Sequence, residues 1–259
     1  QEINIGTFAI AKINMFLHGL DGADIQRGDT LANPQFLNPT GTLKTFDICV
    51  ANPPYSISDW EFELFKSDKY GRIDGYELPP KSNADYAFVL HIIKSMNSNG
   101  RAGIVLPHGV LFRGGAEGRI REQLLKNDLI ETVIALPPKL FYGTGIPAAI
   151  LILNKNKDPK KKNKIIIIDG EKDFSEGKNQ STLRVQDIQK IVRAYDGWEN
   201  IPNYARIVDI KELEENEFNL NIRRYIDNGD KEESIDVSAV NKELSVLEKE
   251  RTEIDKKVE

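Results

Sequence analysis

Apolar residues at Ile5, Phe8, Ala9, Ile13, Phe16 and Leu17 recur at the spacing of one helical face, and Gly19 stands where a helix would end. A helix is expected there. Residues 46–51, 103–106, 132–136 and 148–153 are short, mostly apolar and β-branched runs, each bounded by Pro, Gly or Asn, which is the pattern of strands buried on both faces. Helical periodicities around residues 86–96 and 119–125 lie among them. Strands alternating with helices predict a parallel sheet with helices packed on it, an α/β fold. Only eleven residues, without helical pattern, separate the runs at 132–136 and 148–153, too few for a crossover helix, so that pair is expected to be antiparallel. Residues 165–168 read as a further strand. The lysine-rich stretch 155–164 reads as a solvated loop, and 175–205 as polar chain with a short helix near 185–195. Val237, Val240, Leu244, Leu247, Ile254 and Val258 follow an alternating three-four spacing, interrupted by Arg251. They predict a terminal amphipathic helix, either folded back on its own domain or offered to a coiled-coil partner.

The 259 residues, 40% hydrophobic and 29% charged, suit one large domain with appendages and exclude a wholly disordered or disulfide-stapled chain. A single cysteine, Cys49, has no internal partner and lies in an apolar run, which points to a reduced thiol and an intracellular, cytoplasmic setting. No apolar stretch approaches the length needed to span a bilayer, so no membrane partner is expected. Thirty-five Lys and Arg against 40 Asp and Glu give a net charge of −5, so any nucleic-acid contact has to be local or shared with a partner. His18, His91 and His108 are far apart and lack ligand spacing, and no metal site is expected. Residues 113–118 lack the order of a dinucleotide loop and read as a flexible connection.

The strongest chemical signal is Asn52-Pro53-Pro54-Tyr55, directly after the apolar run 46–51 and therefore at the carboxyl end of a strand, where open α/β sheets bind ligands. Two prolines fix two φ angles and remove two N–H donors, leaving a stiff loop with carbonyls free to accept. An asparagine amide oxygen beside a free carbonyl suits an exocyclic NH₂, and the adjacent aromatic ring can stack on the base that carries it. Accepting both amine hydrogens favours the pyramidal nitrogen that attack requires. A rigid turn of this composition is the bland alternative.

Further segments give this signal a family context: Gln1-Glu2, Asn14 to Gly19, Gly28-Asp29-Thr30-Leu31, residues 46–56, residues 103–112, and Leu136-Pro137-Pro138 through Pro147. In these the chain resembles the adenine-N6 DNA methyltransferase (modification) subunits of type I restriction-modification systems. The resemblance implies a Rossmann-like S-adenosylmethionine-dependent methyltransferase fold, truncated at its N-terminus, with a C-terminal helical tail. It implies a catalytic domain over 1–170, a mixed extension over 171–236 and a partner-docking helix over 237–259. Asn52, Pro53, Pro54 and Tyr55 would be catalytic, with Asn52 and the Pro53 carbonyl taking the amine and Tyr55 stacking on a flipped adenine. Phe141 would be a second stacking wall, although Tyr142 is adjacent.

By the same resemblance Glu2 would hold the ribose hydroxyls of S-adenosylmethionine, Asp29 would lie near its adenine amine, and Asn52 would line the cofactor side. A helix-start carboxylate and an ordinary turn Asp are the bland alternatives. Implied partners are double-stranded DNA, a specificity subunit and a restriction subunit. The glycine-rich cofactor loop has no counterpart in the chain and is expected before Gln1, so weak or no cofactor binding is expected from the chain alone. Two other readings stay open: an inactive fragment serving in assembly, and an Asn-Pro-Pro-Tyr methyltransferase acting on protein glutamine or RNA.

Overall fold

The computed structural model describes residues 1–142 and 145–227. In chain order the elements are α1 Ile5–Leu17, β1 Phe46–Ala51, α2 Phe62–Lys66, α3 Asp85–Ser95, β2 Met96–Pro107, α4 Gly115–Lys126, β3 Ile130–Ala135, β4 Ala148–Asn154, β5 Lys164–Asp169, the short β6 Ser175–Glu176 and β7 Ser181–Thr182, α5 Val185–Gly197, β8 Ala205–Asp209 and α6 Ile210–Glu215. The unit they build runs Gln1–Ile226. The terminal helix expected over 237–259 lies outside the described residues.

Six strands form one sheet in the order β1-β2-β4-β3-β5-β8. It is mixed rather than parallel: β1/β2 and β3/β5 are parallel, whereas β2/β4, β3/β4 and β5/β8 are antiparallel. The antiparallel β3/β4 pair matches the short connection between them. Alternation along β5 shows how the two faces are filled. Ile165 and Ile167 join a core with the α3 and α4 side chains Leu90, Ile93, Ile120 and Leu124, while Ile166 and Ile168 join the opposite core with Ile191 and Ala194 of α5. Complete burial of each such isoleucine contributes about 1.5–3 kcal/mol.

Four further sequence expectations about the sheet and its surroundings need correction. First, β1 is not buried on both faces. Cys49 and Ala51 pack on the core, but Ile48 is 74% and Val50 81% exposed, because β1 ends the sheet and that face is uncovered among the described residues. Second, β2 starts well before residue 103, continuing back through Gly100 to Met96. Only glycine fits at position 100, since a Cβ there would come within 2.9 Å of the Phe46 carbonyl oxygen. Third, β8, from a stretch expected as an extension beyond the catalytic domain, is the sheet's far edge strand. Fourth, the lysine run is not uniformly solvated: Lys157 is buried, pairs with Asp128 at 2.5 Å and donates to the Lys164 carbonyl at 3.0 Å.

Helix α1 forms as expected, capped by the Asn4 side chain, which accepts from the Gly6 and Thr7 N–H groups, and followed by Gly19 at φ 70°. None of its residues is buried, so Ile5, Ile10, Ile13 and Phe16 present an uncovered apolar face among the described residues.

Helix α3 carries a pH-sensitive group. The Nδ1 of His91 is buried with no hydrogen-bond partner among the described residues. Burial, with a smaller contribution from the Arg72 guanidinium and against the Asp68 carboxylate, pushes the imidazole down to about 4. A depressed pKa means that the unfolded chain takes up a proton the folded chain refuses. The stability is therefore full above the ordinary histidine range and is lost as pH falls toward 4. Between pH 8 and pH 5 the loss is expected to be about 2 kcal/mol. Urea midpoints of the wild type and His91→Gln at the two pH values check this, and an equal pH dependence in both would refute it.

Candidate functional site

Asn52, Pro53, Pro54 and Tyr55 leave the carboxyl end of β1. Asn52 and Pro54 are exposed, Pro53 is buried and Tyr55 is half-buried. The Tyr55 ring packs against the same apolar cluster as Leu140 and Phe141, so the structure brings the two expected stacking residues to one cluster. Phe141 is half-buried and Tyr142 is 91% exposed, which separates the neighbours: Phe141 is the packed one. The Gln180 side-chain amide donates to the Leu140 carbonyl at 2.9 Å, and the Ser181 N–H donates to the Lys139 carbonyl at 2.9 Å. Thus the β6/β7 ribbon braces this segment. The Tyr55 hydroxyl is buried without a hydrogen-bond partner among the described residues. Burial, then the negative charge of Asp85, raises its pKa and keeps the phenol neutral.

The loop is clamped from behind. Ser56 is left-handed, with φ 52°. Its N–H donates to Asp85 Oδ1 at 2.7 Å, and its hydroxyl lies 3.4 Å from Asp85 Oδ2. Asp85, 1% exposed, opens α3. Asn83 Oδ1 accepts the Asp85 N–H at 2.9 Å. Arg113 Nη1 sits 3.2 Å from Asp85 Oδ2 and 3.1 Å from Glu117 Oε1, while its Nη2 donates to Ser56 Oγ at 3.3 Å. Burial raises the Glu117 carboxyl pKa, and Arg113 opposes the rise only partly.

The stretch 113–118, expected to be a flexible connection, is therefore an ion-pair node and the first turns of α4. Asp85, Arg113 and Ser56 were not among the sequence candidates. Asn83-Ala84-Asp85 ahead of an apolar-periodic helix and the i,i+4 spacing of Arg113 and Glu117 are the signals that could have found them.

Glu2 and Asp29 come from neighbouring segments joined by a parallel bridge, Glu2 to Arg27, with the Gly28 N–H donating to the Glu2 carbonyl at 3.0 Å. Both carboxylates also do local work. Glu2 Oε1 accepts the Asn4 N–H at 2.7 Å, and Asp29 Oδ1 accepts the Leu31 and Ala32 N–H groups at 2.8 and 3.0 Å. Leu31 is buried in the α3 core, and Arg72 Nη1 donates to the Thr30 carbonyl at 3.4 Å, which ties this segment to the body of the fold. Cys49 is half-buried and its thiol pKa is raised by burial, the state of an unreactive packed side chain.

A family model described as N-6 DNA methylase matches residues 1–234. The chain belongs to the N-6 DNA methylase family. It is 39% identical over 263 residues to the type I restriction enzyme MjaVIII methylase subunit of Methanocaldococcus jannaschii, covering 98% of this chain and 45% of that one. It is 34% identical to the MpnII methylase subunit of Mycoplasma pneumoniae, covering 95% and 46%. A solved type I restriction-modification methyltransferase subunit from Streptococcus thermophilus superposes with a TM-score of 0.79 at 40% identity, covering 87% of this chain and 47% of its own. The chain thus spans a little under half the length of these relatives, and its mixed sheet has the Rossmann-like methyltransferase fold that the sequence resemblance implied.

Within that fold the acceptor groups named from the sequence lie as follows. Asn52 and the Pro53 carbonyl stand at the strand end, with Tyr55 beside Phe141's cluster, and two carboxylates on paired segments are suited to hydroxyl and amine donors. These residues fit part of an S-adenosylmethionine site. No glycine-rich turn for its methionine end occurs among the strand ends described here. No three His, Cys, Asp or Glu side chains converge as metal ligands among the described residues, and no helix there is long and apolar enough to cross a membrane.

Proposed function

We propose that this chain is the transfer-loop part of a DNA adenine-N6 methyltransferase subunit acting in the cytoplasm within a type I restriction-modification complex. The observation that carries the reading is Asn52-Pro53-Pro54-Tyr55 at the carboxyl end of β1, held from behind by Asp85 through Ser56. S-adenosylmethionine, when bound, supplies an electrophilic methyl group. Asn52 Oδ1 and the Pro53 carbonyl accept the two hydrogens of the target amine, drawing its lone pair out of conjugation. Tyr55, kept neutral, and Phe141 hold the extruded adenine between ring faces. Glu2 and Asp29 serve the cofactor's hydroxyls and amine. The −5 net charge supports a division of labour in which a specificity subunit supplies much of the contact to double-stranded DNA, and a restriction subunit joins the same complex.

The full-length subunit, assembled with its specificity subunit, is given methyl-labelled S-adenosylmethionine and duplex DNA, and the products are digested to nucleosides. Label in N6-methyladenine is the expected result. Label in protein glutamine or in RNA would replace the reading, and no transfer to DNA would end it.

A further inference from the structure

We propose that Asp85 is the positioning residue of the transfer loop, its carboxylate fixing Ser56 in a left-handed conformation and thereby aiming Asn52 and Tyr55. The inference rests on the reading of Asn52–Tyr55 as the transfer loop and goes beyond it by assigning the group that holds the loop.

A serine at φ 52° sits in a region that disfavours any side chain with a Cβ, so something must compensate. The compensation is visible. Asp85 receives the Ser56 N–H at 2.7 Å, and Arg113 bonds the Ser56 hydroxyl at 3.3 Å while pairing with Asp85 at 3.2 Å. The carboxylate is rigid because it is buried in the first turn of α3, whose Leu90 and Val89 are completely buried. The Ala84 N–H also donates to the Ile57 carbonyl at 3.0 Å, so the helix start and the segment after Tyr55 are stitched at two points. A carboxylate serving only helix α3 would need neither the Ser56 amide nor its hydroxyl.

The test uses the full-length subunit in its complex and four variants: Asp85→Ala, Asp85→Asn, Ser56→Gly and the double Asp85→Ala/Ser56→Gly. Asp85→Ala is expected to lower kcat about tenfold while the KM for S-adenosylmethionine stays within about twofold. A target 2-aminopurine should fluoresce more strongly in this variant, because the flipped base loses its stacking on Tyr55. Asp85→Asn keeps an oxygen for the Ser56 amide and should fall between Asp85→Ala and the wild type. It serves as the folded variant if Asp85→Ala is not.

Glycine adopts a left-handed φ without the Cβ penalty. The double variant should therefore regain at least about fivefold of the activity lost in Asp85→Ala. A simple loss of fold stability would not be relieved by glycine at position 56. A double variant no more active than Asp85→Ala, or wild-type kcat in both Asp85 variants, would overturn the proposal. Asn52→Ala is run beside them. If it keeps full activity the transfer-loop reading itself fails, and if it alone is inactive only the role of Asp85 fails.

Discussion

Replacing Asn52 with alanine is expected to slow methyl transfer by about 10²–10³-fold, the loss found when one preorganised polar contact to a developing transition state is removed. Only interactions that change along the reaction alter its rate. In the proposed site, stacking on Tyr55 and Phe141 would be as strong for the bound adenine as for the reacting one, so it would serve binding. Hydrogen bonds from the amine to Asn52 Oδ1 and the Pro53 carbonyl would strengthen as nitrogen becomes pyramidal, so they would serve rate. Asn52 is exposed and its side chain makes no hydrogen bond among the described residues that alanine would orphan, whereas Pro53 is buried and would act through its backbone. Asn52→Ala should therefore fold with an unchanged melting temperature, bind DNA normally and fail at the chemical step. Single-turnover transfer in the assembled complex measures this, and a loss below about tenfold would remove Asn52 from the chemistry.

The tetrapeptide was legible in the sequence because its chemistry is local: four adjacent residues after an apolar run define both loop and position. Its support was not, because Ser56 meets Asp85 across 29 residues and Arg113 across 57, and no periodicity reports such pairs. Strands β3 and β5 were readable as continuous apolar runs because both their faces are covered. β1 has the same pattern but one bare face, so the pattern of a buried strand survives where the burial is absent among the described residues. β8 was missed for the opposite reason: its Arg206 pairs with Glu212 at 2.7 Å, and an edge strand that carries a charged residue does not look like core. The start of α4 was hidden by Gly114 and Gly115, poor helix formers, of which Gly115 has φ 65°.

Arg121→Ala is expected to cost the folded unit about 3–5 kcal/mol, among the largest losses available to a single polar substitution. Arg121 is 3% exposed, and its guanidinium donates to three backbone carbonyls: Phe218 at 2.7 Å, Val110 at 3.0 Å and Arg113 at 3.0 Å. The Val110 carbonyl also accepts from the Tyr86 hydroxyl at 2.8 Å and keeps a partner when Arg121 is removed. The other two carbonyls lose a donor that water cannot easily replace at a buried site, at about 1–3 kcal/mol each, before any cavity is counted. Lysine at this position offers a single point charge in place of a planar fork and should recover less than half of the loss. Urea unfolding of the two variants decides it, and a loss under about 1 kcal/mol in Arg121→Ala would show that the segment after α6 does not depend on this contact. Because the Arg113 carbonyl is one of the three, the same variant also loosens the residue whose side chain pairs with Asp85. The folded fraction of Arg121→Ala should therefore transfer methyl more slowly than wild type, although Arg121 lies behind the loop and not in it.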